Sequence, residues 1–223
     1  MKIKTILVLL TYSCVYLQAQ LVKSYFSTGE LRSETIYKDG TYTKFTKGVK
    51  EGIEKVYYRS GQLAYKINYT SGKRNGVMKW YDRSSHLLEQ MPYKMGKREG
   101  VEKSYFASGK LKHEVTYIND KKQGAEKEYF ENGKLALIVD YKDGKKEGFQ
   151  KEFTLDGKLY SKVLYKNNYK EGFQKWFGSD GKVIRKELYK MDRPVELMAK
   201  IQQKNSDSKL IVKGLDFKPK SIY

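Results

Sequence analysis

Residues 141–153 are YKDGKKEGFQKEF, and residues 165–177, which begin 24 positions later, are YKNNYKEGFQKWF. The same spacing continues through most of the chain. Six glycines follow one another at a constant step of 24 positions: Gly52, Gly76, Gly100, Gly124, Gly148 and Gly172. A fixed period of this length indicates copies of one small structural unit, each of which buries its apolar side chains against the next copy.

Four more positions of the unit keep this spacing. They are Gly61, Ser85, Gly109, Gly133, Gly157 and Gly181; Leu63, Leu87, Leu111, Leu135, Leu159 and Val183; Tyr57, Tyr81, Tyr105, Tyr129, Phe153 and Phe177; and Tyr69, Tyr93, Tyr117, Tyr141, Tyr165 and Tyr189. An earlier copy, Tyr25 to Tyr37, lies 32 positions upstream of its counterpart instead of 24. We therefore predict about seven repeats over residues 21–193, with an eight-residue insertion in the first hairpin.

The side chains within each repeat alternate between two faces, as they do in a β-strand. Leu135, Leu137, Val139 and Tyr141 fall on one face of such a strand, and the two glycines in every repeat argue against a pair of helices. The Asp-Gly and Asn-Gly pairs, such as 143–144 and 132–133, are typical of tight turns in which glycine has a positive φ. Short turns join antiparallel strands, so the sequence predicts an all-β fold of tandem 24-residue hairpins in a meander.

Residues 1–20 predict a signal peptide. MKIK is a basic start, ILVLLTYSCVYL is a short apolar stretch, and Ala19 offers a small residue for cleavage. We expect an exported protein, in the periplasm, at the outer membrane or outside the cell. Cys14, the single cysteine, would leave with this segment, so the mature chain would have no disulfide. The alternative is a lipoprotein in which Cys14 becomes the lipidated first residue.

The C-terminal segment, residues 194–223, breaks the period. Val195, Met198 and Ile201 have helical spacing, and residues 210–212 are LIV. We predict a short helix and strand that cap the last hairpin, because a repeat array exposes an edge at its end. A segment that docks a partner is the alternative.

The pattern Tyr-Phe-x-x-Gly-Lys-Leu, then Tyr, then Gly-Lys-x-x-Gly, as in residues 105–124 and 129–148, resembles the MORN-repeat variant of bacterial proteins of the YwqK type. The resemblance covers about residues 25–193. It implies hairpins stacked into an elongated, twisted antiparallel sheet, and an antitoxin-like label for the YwqK group. It implies no catalytic residues. A signal peptide would remove this protein from the compartment of an intracellular toxin.

The aromatic positions predict packing. We expect Tyr57 to Phe177 and Tyr69 to Tyr189, at steps of 24, to form cross-strand ladders down one face of the sheet. If part of that face stays open, the same rings could stack a sugar, a choline-like group or side chains of a partner.

The basic turn residues are a second candidate surface. Removing Lys2 and Lys4 with residues 1–20 leaves 43 basic against 26 acidic residues, a net charge of +17. We expect one sheet edge to present a cationic ribbon suited to an anionic lipid or polysaccharide, formed by Lys73, Arg74, Lys97, Arg98, Lys121, Lys122, Lys145 and Lys146. The alternative is a solvated edge partly neutralised by Glu99, Glu147 and Glu171.

Catalysis has little support in the sequence. His86 and His113 are the only histidines and occupy different repeat positions, so we predict neither an enzyme, a metal site nor a cofactor. Nucleic acid is a weak fit, because no recognised nucleic-acid motif accompanies the charge. The predicted function is an exported scaffold that binds another protein. The alternative is a cell-envelope binder of anionic glycan or lipid.

Overall fold

The computed structural model describes residues 19–38 and 48–195, together with the backbone of residues 6–8. Its nineteen elements are all β-strands. They are β1 (Ile6–Val8), β2 (Ala19–Tyr25), β3 (Leu31–Lys38), β4 (Lys50–Tyr57), β5 (Leu63–Thr70), β6 (Lys73–Arg74), β7 (Gly76–Tyr81), β8 (Leu87–Lys94), β9 (Lys97–Arg98), β10 (Gly100–Tyr105), β11 (Leu111–Ile118), β12 (Lys121–Lys122), β13 (Gly124–Tyr129), β14 (Leu135–Lys142), β15 (Lys145–Phe153), β16 (Leu159–Lys166), β17 (Tyr169–Phe177), β18 (Val183–Lys190) and β19 (Arg193–Pro194).

The strands form one antiparallel meander. Each long strand pairs with the long strands before and after it in the chain, from β2–β3 to β17–β18. The two-residue strands β6, β9 and β12 continue the pairing of β5, β8 and β11 beyond each turn. The described part of the chain thus contains seven long hairpins in a single open sheet, and the predicted all-β hairpin-repeat fold is confirmed.

Two kinds of turn alternate along the sheet. The first is a two-residue turn with positive φ at both positions, for example 52° at Asp143 and 81° at Gly144. This is the geometry that matches the twist of flanking strands. The second is longer and closes with a glycine, as in the hydrogen bond from Gly133 N to Phe130 O of 2.8 Å. Since both connections are short, each strand returns beside its predecessor.

The period-24 glycine at the start of each second strand accompanies a bulge. At Gly148 the pairing of β14 with β15 shifts register between Val139 and Tyr141. Gly148 has a φ of 115°, and a Cβ there would lie 3.0 Å from the Cβ of Asp140. This position needs glycine both for its conformation and for the close approach of the neighbouring strand.

The sheet has two different faces. The tyrosine face carries Tyr69, Tyr93, Tyr117, Tyr141, Tyr165 and Tyr189, and the lysine face carries Lys55, Lys79, Lys103, Lys127, Lys151 and Lys175. The most buried apolar side chains, Ile67, Val115, Val139 and Val163, lie on the tyrosine face and are 1–2% exposed. Burial of each such side chain contributes roughly 1.5–3 kcal/mol, so the tyrosine face holds the core of the array.

Three predicted features fall wholly or partly outside the described residues. The predicted C-terminal cap, residues 194–223, lies outside the described residues from residue 196 onward. Most of the first-hairpin insertion falls on residues 39–47, between β3 and β4. Of the predicted signal peptide, the structure describes Ala19 and Gln20 in β2 and the backbone of β1, which pairs with β2 from Ile6 opposite Lys23 to Val8 opposite Leu21. Cleavage after residue 20 would remove β1 and leave β2 from Leu21 onward.

Candidate binding surfaces

A ladder of cations and tyrosines runs along the tyrosine face. The first five tyrosines each lie opposite a basic residue of the following turn, for example Tyr117 opposite Lys122, whereas Tyr189 lies opposite Pro194. Each tyrosine also lies beneath the basic residue of the preceding turn, at 3.9–5.2 Å from the ring centroid. These stacked pairs are Lys50 on Tyr69, Arg74 on Tyr93, Arg98 on Tyr117, Lys122 on Tyr141, Lys146 on Tyr165 and Lys170 on Tyr189. Each contact contributes about 0.5–2 kcal/mol.

Three ladder cations also pair with a buried carboxylate four residues later in the chain. Lys50 pairs with Glu54, Arg98 with Glu102, and Lys122 with Glu126. The Glu102 pair is the longest, at 4.0 Å, and the Oε2 atom of Glu102 that faces Arg98 has no hydrogen-bond partner. Burial, with the nearby charge of Glu89, raises the pKa of Glu102.

Glu126 is the best satisfied of these acids. Its Oε1 accepts hydrogen bonds from His113 Nε2 at 2.8 Å and Lys122 Nζ at 2.5 Å. Burial alone would raise the pKa of Glu126, but these hydrogen bonds and the charge of Lys122 hold it at about 2. The bond to Glu126 in turn raises the pKa of His113. The cluster is therefore a charged, buried unit in the middle of the array.

The last two ladder cations lack an acid at the same place. The residue four positions after Lys146 is Gln150, and the residue four positions after Lys170 is Gln174. Their amide oxygens accept from the lysine Nζ atoms at 3.1 Å and 2.9 Å, but an amide carries no charge. An open pocket of about 480 Å³ lies here, lined by Lys146, Tyr165, Asn168, Lys170, Tyr189 and Asp192.

Charge in this pocket is only partly balanced. Burial lowers the pKa of Lys146, and the charges of Lys122 and Lys170 lower it further against the opposing field of Glu126. Asp192 supplies the single carboxylate of the pocket lining, and its Oδ1 accepts from the backbone N of Lys170 at 2.6 Å. Within the lining, two ammonium groups thus share one acid, and the nearby Glu187, which accepts from the Tyr189 hydroxyl at 2.7 Å, is paired with Arg185. The remaining positive charge favours an anion.

The eight basic residues proposed from the sequence as a turn ribbon divide into two sets. Lys73, Lys97, Lys121 and Lys145 are exposed at the turn edge. Their neighbours Arg74, Arg98, Lys122 and Lys146 turn onto the tyrosine face and stack on the rings of the ladder. The turn edge therefore presents one lysine from each of these four turns, with the second cation inside the ladder.

The acids beside the turns have a structural role as well as a neutralising one. The Oε2 atoms of Glu99 and Glu147 accept from the backbone N of Asn119 and Asn167, each at 2.8 Å. The same bond recurs from turn to turn at Glu51, Asn75, Gln123 and Glu171. Backbone bonds such as Gly144 N to Lys122 O, 2.9 Å, run alongside. Each turn is thereby joined to the next.

The lysine face carries a row of cations that the sequence analysis did not single out. Lys55, Lys79, Lys103, Lys127, Lys151 and Lys175 themselves follow the step of 24 positions. Lys66 lies between Lys55 and Lys79, so three lysines are also neighbours there. Gln90, Glu114 and Ile138 separate the next members of the set, and Glu114 pairs with Lys127 at 3.1 Å. Their spacing could have revealed this set, but the many other lysines concealed it.

In the last two repeats the row is continuous. Lys151 lies opposite Lys162, Lys162 opposite Lys175, and Lys175 opposite Lys186. Strands are about 4.8 Å apart, and like charges directly opposite each other are destabilising. Within the described residues none of these four lysines forms an ion pair, although Lys162 and Lys186 stack on Phe149 and Phe173. We call Lys151, Lys162, Lys175 and Lys186 the lysine row.

An apolar stripe runs beside this row on the same face. It follows each period-24 glycine and consists of Ile53, Val77, Val101, Phe149 and Phe173, which are 47%, 46%, 45%, 40% and 47% exposed. In the fourth hairpin Ala125 occupies the corresponding place. The strand geometry repeats these side chains at every second strand. The strands between them carry Asn68, Thr116 and Asp140 in the earlier repeats and Leu164 and Leu188 in the last two.

The two aromatic positions lie on opposite faces, so the expectation of joint ladders down one face was wrong. Tyr69 lies opposite Gly52, whereas Tyr57 is five residues beyond Gly52 and points to the other face by strand alternation. Accordingly the hydroxyls of Tyr57 and Tyr129 donate to Glu34 and Glu114 of the lysine face, at 2.8 and 2.9 Å. Burial and these carboxylates raise the pKa of both tyrosines to about 12.

Two other kinds of site are not found in the described part of the chain. Among the residues that the structure describes, no three His, Cys, Asp or Glu side chains are grouped so as to hold a metal ion. Within the same residues, no helix has the length and apolar character needed to cross a membrane.

The open sheet of stacked hairpins defines a tandem-repeat β protein. The family model described as MORN repeat variant matches residues 21–39, 50–71, 74–95, 98–119, 122–143 and 146–167. These six segments cover more than half of the chain, which belongs to this family. Repeats of this kind are generally non-enzymatic scaffolds that bind proteins or membranes. No curated protein matches the chain.

Proposed function

We propose that this protein is an exported, non-enzymatic scaffold that binds another protein through its open sheet. The apolar stripe of the lysine face carries this proposal. An exposed aromatic or aliphatic side chain is unremarkable by itself, whereas a contiguous apolar patch on a folded surface marks an interaction site. Here the patch is most continuous in the last two repeats, where Phe149 lies opposite Leu164 and Phe173 opposite Leu188.

The stripe is suited to a protein partner because its side chains are held on a sheet. Phe149 and Phe173 lie on paired strands opposite Leu164 and Leu188, so little conformational entropy is lost when a partner covers them. Rigid aromatic side chains of this kind are the usual anchors of protein interfaces. The flanking lysines provide the polar rim.

Export is part of the proposal and rests on the N-terminal residues. The family match begins at residue 21, directly after the segment proposed as a signal peptide. An antitoxin-like role, by resemblance to the YwqK type, requires the cytoplasm. Cell fractionation with an antibody distinguishes the two: a processed form in the envelope or medium supports export, and an unprocessed cytoplasmic form contradicts it in favour of the antitoxin role.

The second candidate is a binder of anionic glycan or lipid in the cell envelope. The lysine row favours it, because four unpaired cations on adjacent strands create a strong local field. The exposed turn lysines Lys73, Lys97, Lys121 and Lys145 extend positive charge to the sheet edge. Such binding is electrostatic and weakens steeply as salt is added.

One capture experiment separates the two candidates. The chain lacking residues 1–20 is immobilised and incubated with envelope extract, then washed at low and at high salt. A stoichiometric protein retained at high salt supports the scaffold. Lipid or polysaccharide released by salt, with no protein retained, contradicts it and favours the second candidate.

A further inference from the structure

The last two repeats depart from the pattern of the ladder. In three earlier repeats the buried place beside the ladder cation holds a carboxylate of the same chain: Glu54, Glu102 or Glu126. Arg74 is an isolated exception, because the residue four positions after it is Met78. Its guanidinium donates to the Tyr93 hydroxyl at 3.3 Å. Lys146 and Lys170 are consecutive exceptions, and they line one pocket.

We propose that this pocket binds a carboxylate group of an acidic peptide segment of the partner protein. The inference rests on the proposed scaffold function and names the chemistry that one part of its surface recognises. The ladder itself provides the precedent, since at Glu126 a carboxylate accepts from a ladder lysine beside a stacked tyrosine. An external carboxylate would complete the same arrangement at Lys146 and Lys170.

Geometry supports a group of this size and charge. Lys146 and Lys170 stand over Tyr165 and Tyr189, each 4.8 Å from the ring centroid, so both ammonium groups are held in place before a ligand arrives. An ammonium group has three N–H donors, and each of these lysines uses one of them in a hydrogen bond to a glutamine. Both Nζ atoms can therefore donate to a ligand as well. The pocket is open, which admits a side chain carried on a peptide.

The charge balance also favours one acidic group. Asp192 offsets one of the two ammonium charges. Glu187, which lies opposite Gln174, is itself paired with Arg185. A further carboxylate would neutralise the other ammonium charge, and would favour the charged form of Lys146, whose pKa burial lowers. Charge-assisted hydrogen bonds of ammonium to carboxylate are about twice as strong as neutral ones.

The test fills the pocket with the acid that other repeats already have. The double variant Q150E/Q174E places carboxylates where Glu126 stands in its own repeat. The control Q90E/Q123E adds the same charge elsewhere, at places where other repeats have Glu114 and Glu147. Each substitution introduces an acid that other repeats have at the same position. Because Gln174 lies opposite Glu187, thermal melting verifies that Q150E/Q174E still folds.

The probe is a tetraglutamate peptide that is acetylated at its N-terminus and amidated at its C-terminus. Its binding is measured by NMR from the chemical shifts of the backbone amides of Lys146 and Lys170. We expect it to shift both amides in the wild type and in Q90E/Q123E, and to bind Q150E/Q174E about tenfold more weakly or worse. The matched tetraglutamine peptide should shift neither amide.

Several results would overturn the inference. They are an absence of shifts in the wild type, equal binding to Q150E/Q174E, or larger shifts at these amides with inorganic phosphate or phosphatidylglycerol vesicles than with the peptide. Its failure is distinct from failure of the scaffold proposal. If only the pocket proposal is wrong, capture still retains a salt-resistant protein, whereas if the scaffold proposal is wrong no protein is retained.

Discussion

The residue four positions after each ladder cation decides whether its charge is neutralised within the sheet. At Lys122 this residue is Glu126, which His113 also contacts, and the buried side chains are satisfied. At Lys146 it is Gln150, which leaves a charge for a ligand. A glutamine in place of a glutamate at this position therefore distinguishes the proposed binding position from a structural one.

The His113–Glu126 pair predicts a pH-dependent stability. The raised pKa of His113 stabilises the fold fully below about 6.5, and this contribution is lost as the pH rises through the higher folded value. The contribution of Glu126 is present above 4.5 and is lost as the pH falls through about 2. His113→Gln should cost roughly 1.5–3 kcal/mol at pH 5.5 and clearly less at pH 9.

Urea unfolding at the two pH values measures this difference. The matched control is His86→Gln, because His86 contacts Asp82 at an exposed turn and should contribute little. An equal loss for His113→Gln at both pH values would show that its charge is irrelevant.

Two period-24 glycines provide a test of the bulge. Gly124 has a φ of 77° and free space where a Cβ would lie, whereas Gly148 has a φ of 115° and Asp140 at 3.0 Å. Gly124→Ala should cost about 1–2 kcal/mol from its left-handed backbone alone. Gly148→Ala should cost at least ~1 kcal/mol more, because strain and overlap add. Chemical denaturation of both variants gives the comparison, and equal losses would refute the close approach.

At the scale of the elements, the hairpins are joined through their turns as well as through strand pairing. The amide of Asn167 bonds to Glu147, which lies beside the preceding two-residue turn, and Lys158 Nζ donates to Ser179 O of the following hairpin at 2.9 Å. These bonds satisfy turn groups that would otherwise face water. They make neighbouring hairpins mutually dependent.

Removing one of these bonds should have a local effect. Glu147→Ala should speed hydrogen exchange of the Asn167 amide about fivefold, because a hydrogen bond of about 1 kcal/mol is lost. The amide of Asn119, held in the same way by Glu99, is an internal control and should not change. NMR exchange rates measure both. An unchanged rate at Asn167 would mean that the turn is held by its backbone alone.

The elements were largely predictable from the sequence, and the site was not. The regular spacing of the glycines and tyrosines predicts where the strands and turns lie and in what order the hairpins follow, since these depend on local sequence propensity. The lysine row depends on which strand residues face one another, as Lys162 faces Lys151 and Lys175. That register follows from bulges and turn lengths. The pocket likewise joins Lys146 and Lys170 across two turns.

At the scale of the whole molecule, the described strands form a single open sheet with no second layer over either face. Seven hairpins at about 4.8 Å per strand extend for about 60 Å. A compact domain of about 200 residues has a radius of gyration of ~17 Å. Small-angle X-ray scattering of the chain without residues 1–20 should give a clearly larger value. A radius of gyration close to that of the compact domain would mean that the sheet folds back and covers one face.

The central claim is that the apolar stripe binds a protein, and capture from envelope extract with two variants tests it most directly. Phe149→Ser/Phe173→Ser removes two exposed rings, and Lys151→Gln/Lys175→Gln removes two charges of the lysine row. We predict that a protein retained at high salt is lost with the phenylalanine variant and kept with the lysine variant. Retention by the phenylalanine variant together with loss by the lysine variant would contradict the account.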